Sequence, residues 1–107
     1  MTSVIWSPQS LHDIESIRAY VAEDSAAYAE LVVRRIVAAV EHLHTFPESG
    51  RMVPERNALD IREIIVSPYR VVYRLGQGVV VSRLHSLASA QQALQPTAAD
   101  AIVSRRG

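Results

Sequence analysis

The sequence contains no cysteine and no lysine among its 107 residues. Without cysteine the chain can form no disulfide, no thiolate nucleophile and no cysteine-ligated metal site. Without lysine its eleven formally positive side chains are all arginines, and eleven acidic residues balance them. Because nonspecific binding to nucleic acid rests on a basic excess, this balance argues against it. The planar guanidinium of arginine is suited to fixed pairing with carboxylates.

Long hydrophobic segments and a signal peptide are also absent from the sequence. No segment approaches the run of about 20 apolar residues that crosses a bilayer, and the first residues lack the basic and apolar regions of a signal peptide. We therefore expect a cytoplasmic protein that makes no membrane contact. The length predicts a single domain over residues 1–107, with a core at about 3–86 and an alanine- and glutamine-rich tail at 87–107.

Signatures of metal and cofactor sites are missing as well. The sequence has no phosphate-binding glycine loop, no Ser-His-Asp order and no metal-ligand spacing. His42 and His44 lie two residues apart on a predicted helix, so their side chains diverge and do not share a metal ion. We therefore expect neither a cofactor nor a metal.

The N-terminal segment predicts a short strand followed by a helix. Residues 3–6 (SVIW) are rich in strand formers. Ser7 then supplies a helix cap and Pro8 the first helical residue, and the helix is expected to run to about Ala22. Its apolar stripe consists of Leu11, Ile14, Ile17 and Val21.

A second helix follows after a short break. Asp24 or Ser25 caps it, and Pro47 is expected to stop it after Phe46, so that it spans 21 residues or roughly 31 Å. Because the connection is short, the two helices should form an antiparallel hairpin. The buried stripe of the second helix consists of Val32, Ile36, Ala39, Val40 and Leu43.

The remaining sequence predicts a loop and three strands. Residues 47–60 contain two prolines and a glycine and read as an extended loop. Strands are predicted at 61–66, 69–75 and 79–84, and the tail from residue 86 allows one or two short helices. The fold class is therefore α+β in the order β-α-α-β-β-β, with an antiparallel helix hairpin packed on a small, mostly antiparallel sheet.

The arginines of the last two strands are an unusual feature of this sheet. If residues 75–78 form the turn, Arg70 lies directly across from Arg83, and such a like-charge pair is unfavourable by up to about 1 kcal/mol. In this register the helix-facing side carries Tyr69, Val71, Tyr73, Val80 and Leu84, and the opposite side carries Arg70, Val72, Arg74, Val79, Val81 and Arg83.

Two interpretations of this arginine face are open. The arginine stems can cover the valines with their charged ends in water, or the face can bind an anionic group through charge-assisted hydrogen bonds. The preceding strand brings Glu63 beside Val72 if its turn has an even number of residues, and presents Arg62 instead if the number is odd.

Several motifs in this order and spacing resemble the RelE/ParE superfamily of toxins from bacterial type II toxin–antitoxin modules. They are FPESGR at 46–51, RE at 62–63, YRVVYR at 69–74 and RLH at 83–85, and IRAYVAEDS at 17–25 resembles the first helix and turn of the family. The resemblance covers roughly residues 3–86 and rests on the combination of motifs.

The resemblance implies two N-terminal helices packed on a small sheet, and it implies a partner. The partner is a cognate antitoxin whose disordered C-terminal segment wraps the toxin, which is coupled folding and binding. We expect the arginine face to bind the antitoxin or the target through Arg62, Glu63, Arg70, Val72, Arg74, Val81 and Arg83.

The superfamily divides into ribosome-dependent mRNA endonucleases and ParE-like toxins that poison DNA gyrase without being nucleases. RNA cleavage by 2′-hydroxyl attack needs groups that accept and give a proton, and cations that stabilise the transition state. If the chain is a nuclease, the resemblance implies Arg70, Arg83 and His85 for these roles. His85 equally matches the histidine that is common at this place in ParE-like members.

The residues after the last strand disfavour the nuclease branch. Where the nuclease branch carries a basic residue and then a tyrosine, this chain has Leu87, Ala88 and Ser89. ParE-like members often carry an arginine where this chain has Ala88, so the segment departs from that pattern too. We expect a non-enzymatic toxin that inhibits growth by binding DNA gyrase. The alternatives are a ribosome-dependent mRNA endonuclease and a degenerate, non-toxic member that only binds an antitoxin.

Overall fold

The computed structural model of the protein describes residues 1–56 and 58–88. The expected α+β class and element order are confirmed, with one short strand added inside the predicted loop. The helices expected in the tail fall almost entirely outside the described residues. The elements are β1 (Val4–Trp6), α1 (Pro8–Ala22), α2 (Ala26–Glu41), a 3₁₀ turn (His42–His44), β2 (Arg51–Met52), β3 (Ile61–Val66), β4 (Tyr69–Leu75) and β5 (Val79–Ser86).

The five strands form one mixed sheet in the order β1-β5-β4-β3-β2. Strand β1 pairs parallel to β5, and all other neighbours are antiparallel. Within the described part of the chain, neither helix has the length and apolar character that crossing a membrane would require.

Both helices begin at the serines that the sequence predicts. The Ser7 hydroxyl accepts a hydrogen bond from the Ser10 amide at 3.0 Å, and the Ser25 hydroxyl accepts one from the Tyr28 amide at 3.1 Å. The predicted end of α2 at Phe46 is wrong, because the helix ends at Glu41 and tightens into the 3₁₀ turn. This turn places the side chain of Leu43 inside the core.

The helix hairpin covers one face of the sheet and forms the core with it. Of the predicted stripe of α1, Ile14 and Ile17 are buried, whereas Leu11 is 51% exposed and lies outside the core. The main core cluster contains Ile14, Ile17, Val32, Val33, Ile36, Val40, Tyr69, Val71, Val81 and Leu84.

The expected register of the last hairpin is wrong along its whole length, and in its first half the side chains of β5 also face the opposite way from the expectation. Its turn contains three residues, Gly76–Gly78, so Leu75 pairs with Val79 and Tyr73 with Val81. The odd turn reverses the faces of β5, which brings Val79 and Val81 into the core and leaves Val80 on the opposite face.

A β-bulge then reverses the faces of β5 a second time. The extra residue is Ser82, whose hydroxyl donates to the Val72 carbonyl at 3.0 Å, and pairing resumes between Val72 and Arg83. As a result Leu84 faces the core and Arg83 faces away from it, as expected from the sequence. The expected Arg70–Arg83 contact does not form, because Arg70 lies across from His85.

The segment before β2 is held against the sheet by Tyr73. The Tyr73 hydroxyl donates to the Pro47 carbonyl at 2.7 Å and accepts from the Gly50 amide at 3.0 Å. Arg62 adds hydrogen bonds to the carbonyls of Glu48 and Gly50 at 3.1 and 2.9 Å. These contacts fix the course of the chain toward Arg51–Met52, the edge strand that the sequence did not predict.

Gly50 is required for this arrangement because no side chain fits there. A Cβ atom at this position would stand 2.6 Å from both the Glu63 carbonyl and the Tyr73 hydroxyl. Gly50→Ala is therefore expected to lower the free energy of unfolding by about 1–3 kcal/mol, as overpacking does. Urea unfolding followed by circular dichroism measures the change.

Gly76→Ala is the matched control for this substitution. A Cβ atom at Gly76 meets nothing within 4 Å, so its stability should change by less than about 1 kcal/mol. Equal losses in the two variants would contradict the steric explanation.

Candidate functional site

The sheet face turned away from the helices, here called the open face, consists of three cross-strand rows. Residues paired across neighbouring strands point to the same face, and successive residues alternate. The register therefore assigns Ile5, Val80, Arg74 and Ile61 to the first row, Arg83, Val72, Glu63 and Arg51 to the second, and His85, Arg70 and Ile65 to the third.

A chain of four charged side chains crosses the open face. The Glu63 carboxylate, which is 0% exposed, pairs with Arg70 at 3.2 Å between Oε1 and Nη1 and also with Arg51. Arg70, 8% exposed, pairs in turn with both oxygens of Glu55, a residue of the loop before β3. We call Arg51, Glu63, Arg70 and Glu55 the ion-pair chain.

The ion-pair chain accounts for two charges, Glu63 and Arg70, that are buried on the open face. A charged side chain is buried in a protein only when it is paired, and removing one partner leaves the other uncompensated. Two atoms still lack a hydrogen bond within the described residues, Oε1 of Glu63 and Nε of Arg70. The hydrogen bond from Arg70 also holds the pKa of Glu55 below its usual value.

Arg83 is attached to the first helix through Asp13. Its Nε atom donates to the Asp13 carboxylate at 2.9 Å, and the Leu84 amide donates to the same oxygen at 2.8 Å. Burial raises the pKa of Asp13, but the hydrogen bonds from Leu84, Gln9 and Arg83 outweigh it, so the pKa lies below its usual value. This carboxylate fixes α1 to the second half of β5.

His85 lies across from Arg70 at the end of the open face. Burial is the largest cause that lowers the pKa of its imidazole, and the positive charges of Arg70 and Arg83 lower it further. The side chain is therefore neutral at physiological pH. A neutral imidazole can accept a proton, and it adds no positive charge to the face.

A cavity of about 350 Å³, here called the arginine groove, lies between the open face and the loop before β3. Within residues 1–56 and 58–88, Arg56 and Arg74 form no ion pair, unlike Arg70 and Arg83. The groove is lined by Val53, Glu55, Arg56, Ile61, Arg70, Val72, Arg74, Ser82, Arg83 and His85.

The structure brings together four of the seven residues expected to bind a partner. Arg70, Val72, Arg74 and Arg83 line the arginine groove, together with His85. Glu63 is on the same face but lies fully buried against Arg70. A partner-binding role for these residues stays a prediction.

Two of the expected residues do not lie on the open face. Val81 is fully buried in the core because the three-residue turn reverses the start of β5, so its assignment to the arginine face is wrong. Arg62 alternates with Glu63 and points to the other face, where it donates to loop carbonyls. The even turn between β3 and β4 is the cause, because it sets Glu63 beside Val72.

Glu55 and Arg56 are the groove residues that sequence reasoning missed. Both belong to a loop without periodicity, and only the contacts of that loop with the sheet bring them to the open face. The one available signal was the arginine-rich strand itself, since a buried arginine requires a carboxylate partner.

Comparison with known proteins gives consistent matches over most of the chain. A sequence profile of the family described as "ParE toxin of type II toxin-antitoxin system, parDE" matches residues 4–89. Toxin RelE2 of Caulobacter vibrioides is 31% identical over 81 residues, which cover 75% of this chain and 88% of that protein. Putative toxin Y4kP of Sinorhizobium fredii is 35% identical over 78 residues, which cover 71% of this chain and 78% of that protein.

A solved structure resembles the fold described above. It is titled "Chromosomal ParDE TA system from P. aeruginosa", and its TM-score is 0.67 over 80% of this chain and 96% of that chain. With 22% sequence identity, this likeness concerns the fold alone.

Glu63→Gln is expected to destabilise the fold, because it removes the charge that compensates the buried Arg70. The loss should be about 3 kcal/mol, the lower end for a broken buried pair, since Glu55 still pairs with Arg70. Urea unfolding measures it. Glu30→Gln removes a carboxylate from the exposed Arg18–Glu30 pair and serves as the control, with little expected change. Similar losses in both variants would show that burial of Glu63 does not matter.

The stability of the protein should depend on pH through His85. Because folding lowers the pKa of this imidazole below 6.5, the unfolded chain binds a proton more readily as the pH falls below that value. The free energy of unfolding should therefore decrease from pH 7 toward pH 5. His85→Gln should reduce this slope, whereas the exposed His12→Gln should retain it, as urea unfolding across the range can measure. An unchanged slope in His85→Gln would contradict the assignment of this pH dependence to His85.

Proposed function

The chain belongs to the ParE toxin family of type II toxin–antitoxin systems, and on that premise we propose that it inhibits growth by binding DNA gyrase and is neutralised by a cognate antitoxin. The proposal has two parts, a target and a partner. Binding between proteins, without a chemical step, suffices for both.

The pairing of Arg70 is the observation that carries the choice against RNA cleavage. In the nuclease branch this arginine would stabilise the charge that develops on a phosphate in the transition state, which requires an accessible cation. Here the guanidinium is 8% exposed and already pairs with Glu55 and Glu63. An incoming phosphate would also meet the carboxylate of Glu55, so this position disfavours RNA.

The overall charge supports the same choice. A ribosome-dependent nuclease must approach a surface of phosphates, and such association is favoured by net positive charge. The chain has eleven basic and eleven acidic residues and no net charge. The positive charge of Arg83 in the arginine groove is also offset, by the carboxylate of Asp13.

The endonuclease remains the second candidate because of one observation. His85 has a lowered pKa and borders the arginine groove beside Arg83, so a neutral imidazole and a guanidinium lie at one end of the cavity. A neutral imidazole can act as a general base toward a 2′-hydroxyl. The reaction would then depend on Arg83 and His85 with little contribution from Arg70.

Inducing the chain alone in cells that carry a reporter plasmid tests the target. If gyrase is inhibited, the plasmid should lose negative supercoiling or be cleaved, and bulk mRNA should stay intact. With purified gyrase, relaxed plasmid and ATP, the added chain should block the introduction of negative supercoils or lead to cleavage of the plasmid. Cells with the empty expression vector are the control.

Cut mRNA with normal supercoiling would contradict the gyrase proposal. The cutting should then disappear in Arg83→Ala and in His85→Ala while both variants keep the fold, as checked by circular dichroism. Normal growth, intact mRNA and normal supercoiling would instead indicate a member of the family that only binds an antitoxin.

A further inference from the structure

We infer that the arginine groove accepts an acidic side chain of an extended partner segment, with Arg56 and Arg74 as its receptor and an apolar side chain of the same segment docking next to it. The inference rests on the proposed antitoxin partner and states which surface that partner occupies. It also assigns a role to Arg56, which lies in the loop before β3.

The charges of the groove single out Arg56 and Arg74. Arg70 is buried between Glu55 and Glu63, and Arg83, although 53% exposed, binds Asp13 through Nε, so each of these two cations already has a carboxylate partner within the chain. Arg56 and Arg74 line the same cavity, and no carboxylate within residues 1–56 and 58–88 pairs with either. The groove therefore has two exposed cations available for an incoming carboxylate.

An apolar surface adjoins the groove on the side of β1. A second cavity of about 490 Å³ lies around the turn of the last hairpin, and Arg74 lines both cavities. Its wall includes Ile5 and Val80, which are 59% and 41% exposed. Because the two cavities meet at Arg74, a segment that places a carboxylate there would carry its neighbouring side chains over this apolar surface.

The lining of both cavities favours a peptide over single-stranded RNA. Proteins bind single-stranded RNA by combining a basic track with aromatic side chains on which bases stack. Among the described residues that line the two cavities, His85 is the single aromatic side chain, and no phenylalanine, tyrosine or tryptophan accompanies it. The valines and isoleucines present there suit the side chains of an acidic and apolar peptide.

Two substitutions test the inference with the cognate antitoxin of the proposed function as the probe. Arg56→Ala and Arg74→Ala should each weaken binding by about tenfold, because each removes a charge-assisted contact. Arg35→Ala, an exposed arginine of α2, makes the same change of charge away from the groove and should leave the affinity unchanged. Binding is measured by isothermal titration calorimetry at two salt concentrations, and thermal unfolding checks that each variant folds.

The salt dependence provides a second readout. Affinity of the unaltered chain should fall with added salt, since exposed charges are screened, and the Arg56→Ala/Arg74→Ala double variant should show a smaller fall. Val80→Asp alone should also weaken binding, because it places a negative charge on the apolar surface, next to the position expected for the partner's carboxylate.

The outcomes separate this inference from the proposed function. If the probe binds the unaltered chain and both groove variants equally, the groove is not the docking surface, while the antitoxin partnership stands. If the probe does not bind the unaltered chain, the inference fails, and the antitoxin part of the proposed function fails with it. If a short single-stranded RNA binds instead, and Arg56→Ala and Arg74→Ala abolish that binding, the groove recognises nucleic acid and the inference is overturned.

Discussion

The burial of the Glu63 carboxylate is the constraint on which the open face depends. A carboxylate with no exposure needs cationic partners, and Arg51 and Arg70 provide them from the two neighbouring strands. Because Glu63 is shared between two guanidiniums, Arg51 and Arg70 together carry one positive charge more than it offsets, and Glu55 supplies the second carboxylate. Tyr73 holds the segment before β2 at Pro47 and Gly50, and the loop after β2, which delivers Glu55, is tied to β3 by the hydrogen bond from the Val53 amide to the Ile61 carbonyl. Strand pairing, loop course and the shape of the groove therefore form one connected arrangement.

This arrangement changes the interpretation of the arginines on the last two strands. From the sequence, these arginines read as a row of available cations. In the fold they divide into two classes, because Arg70 and Arg83 are bound to internal carboxylates whereas Arg74 is not. A surface of this kind offers less positive charge than its composition suggests, and what remains is concentrated at Arg56 and Arg74 beside apolar residues. Such a pattern is suited to recognising one acidic group in a defined place.

The sequence was sufficient for features that depend on local rules. Ser7 and Ser25 cap the helices, β4 alternates as expected, and the family resemblance is confirmed. It was insufficient where one residue decides a register, as in the three-residue turn and at Ser82, because either of two turn lengths satisfies the same alternating pattern. The positions of Glu55 and Arg56 follow from tertiary contacts of a loop, which no periodicity encodes. The candidate site was therefore half predictable, in its strand residues and not in its loop residues.

The bulge at Ser82 has a consequence for how this hairpin can change in length. The odd turn and the bulge each reverse the facing of β5, and together they restore it for Arg83 and Leu84. A single residue gained or lost in the turn would send Leu84 to water and Arg83 into the core. The turn and the bulge together determine which face the side chains of β5 point to. A one-residue insertion or deletion in the turn is therefore compatible with this site only when the bulge is lost or shifted with it.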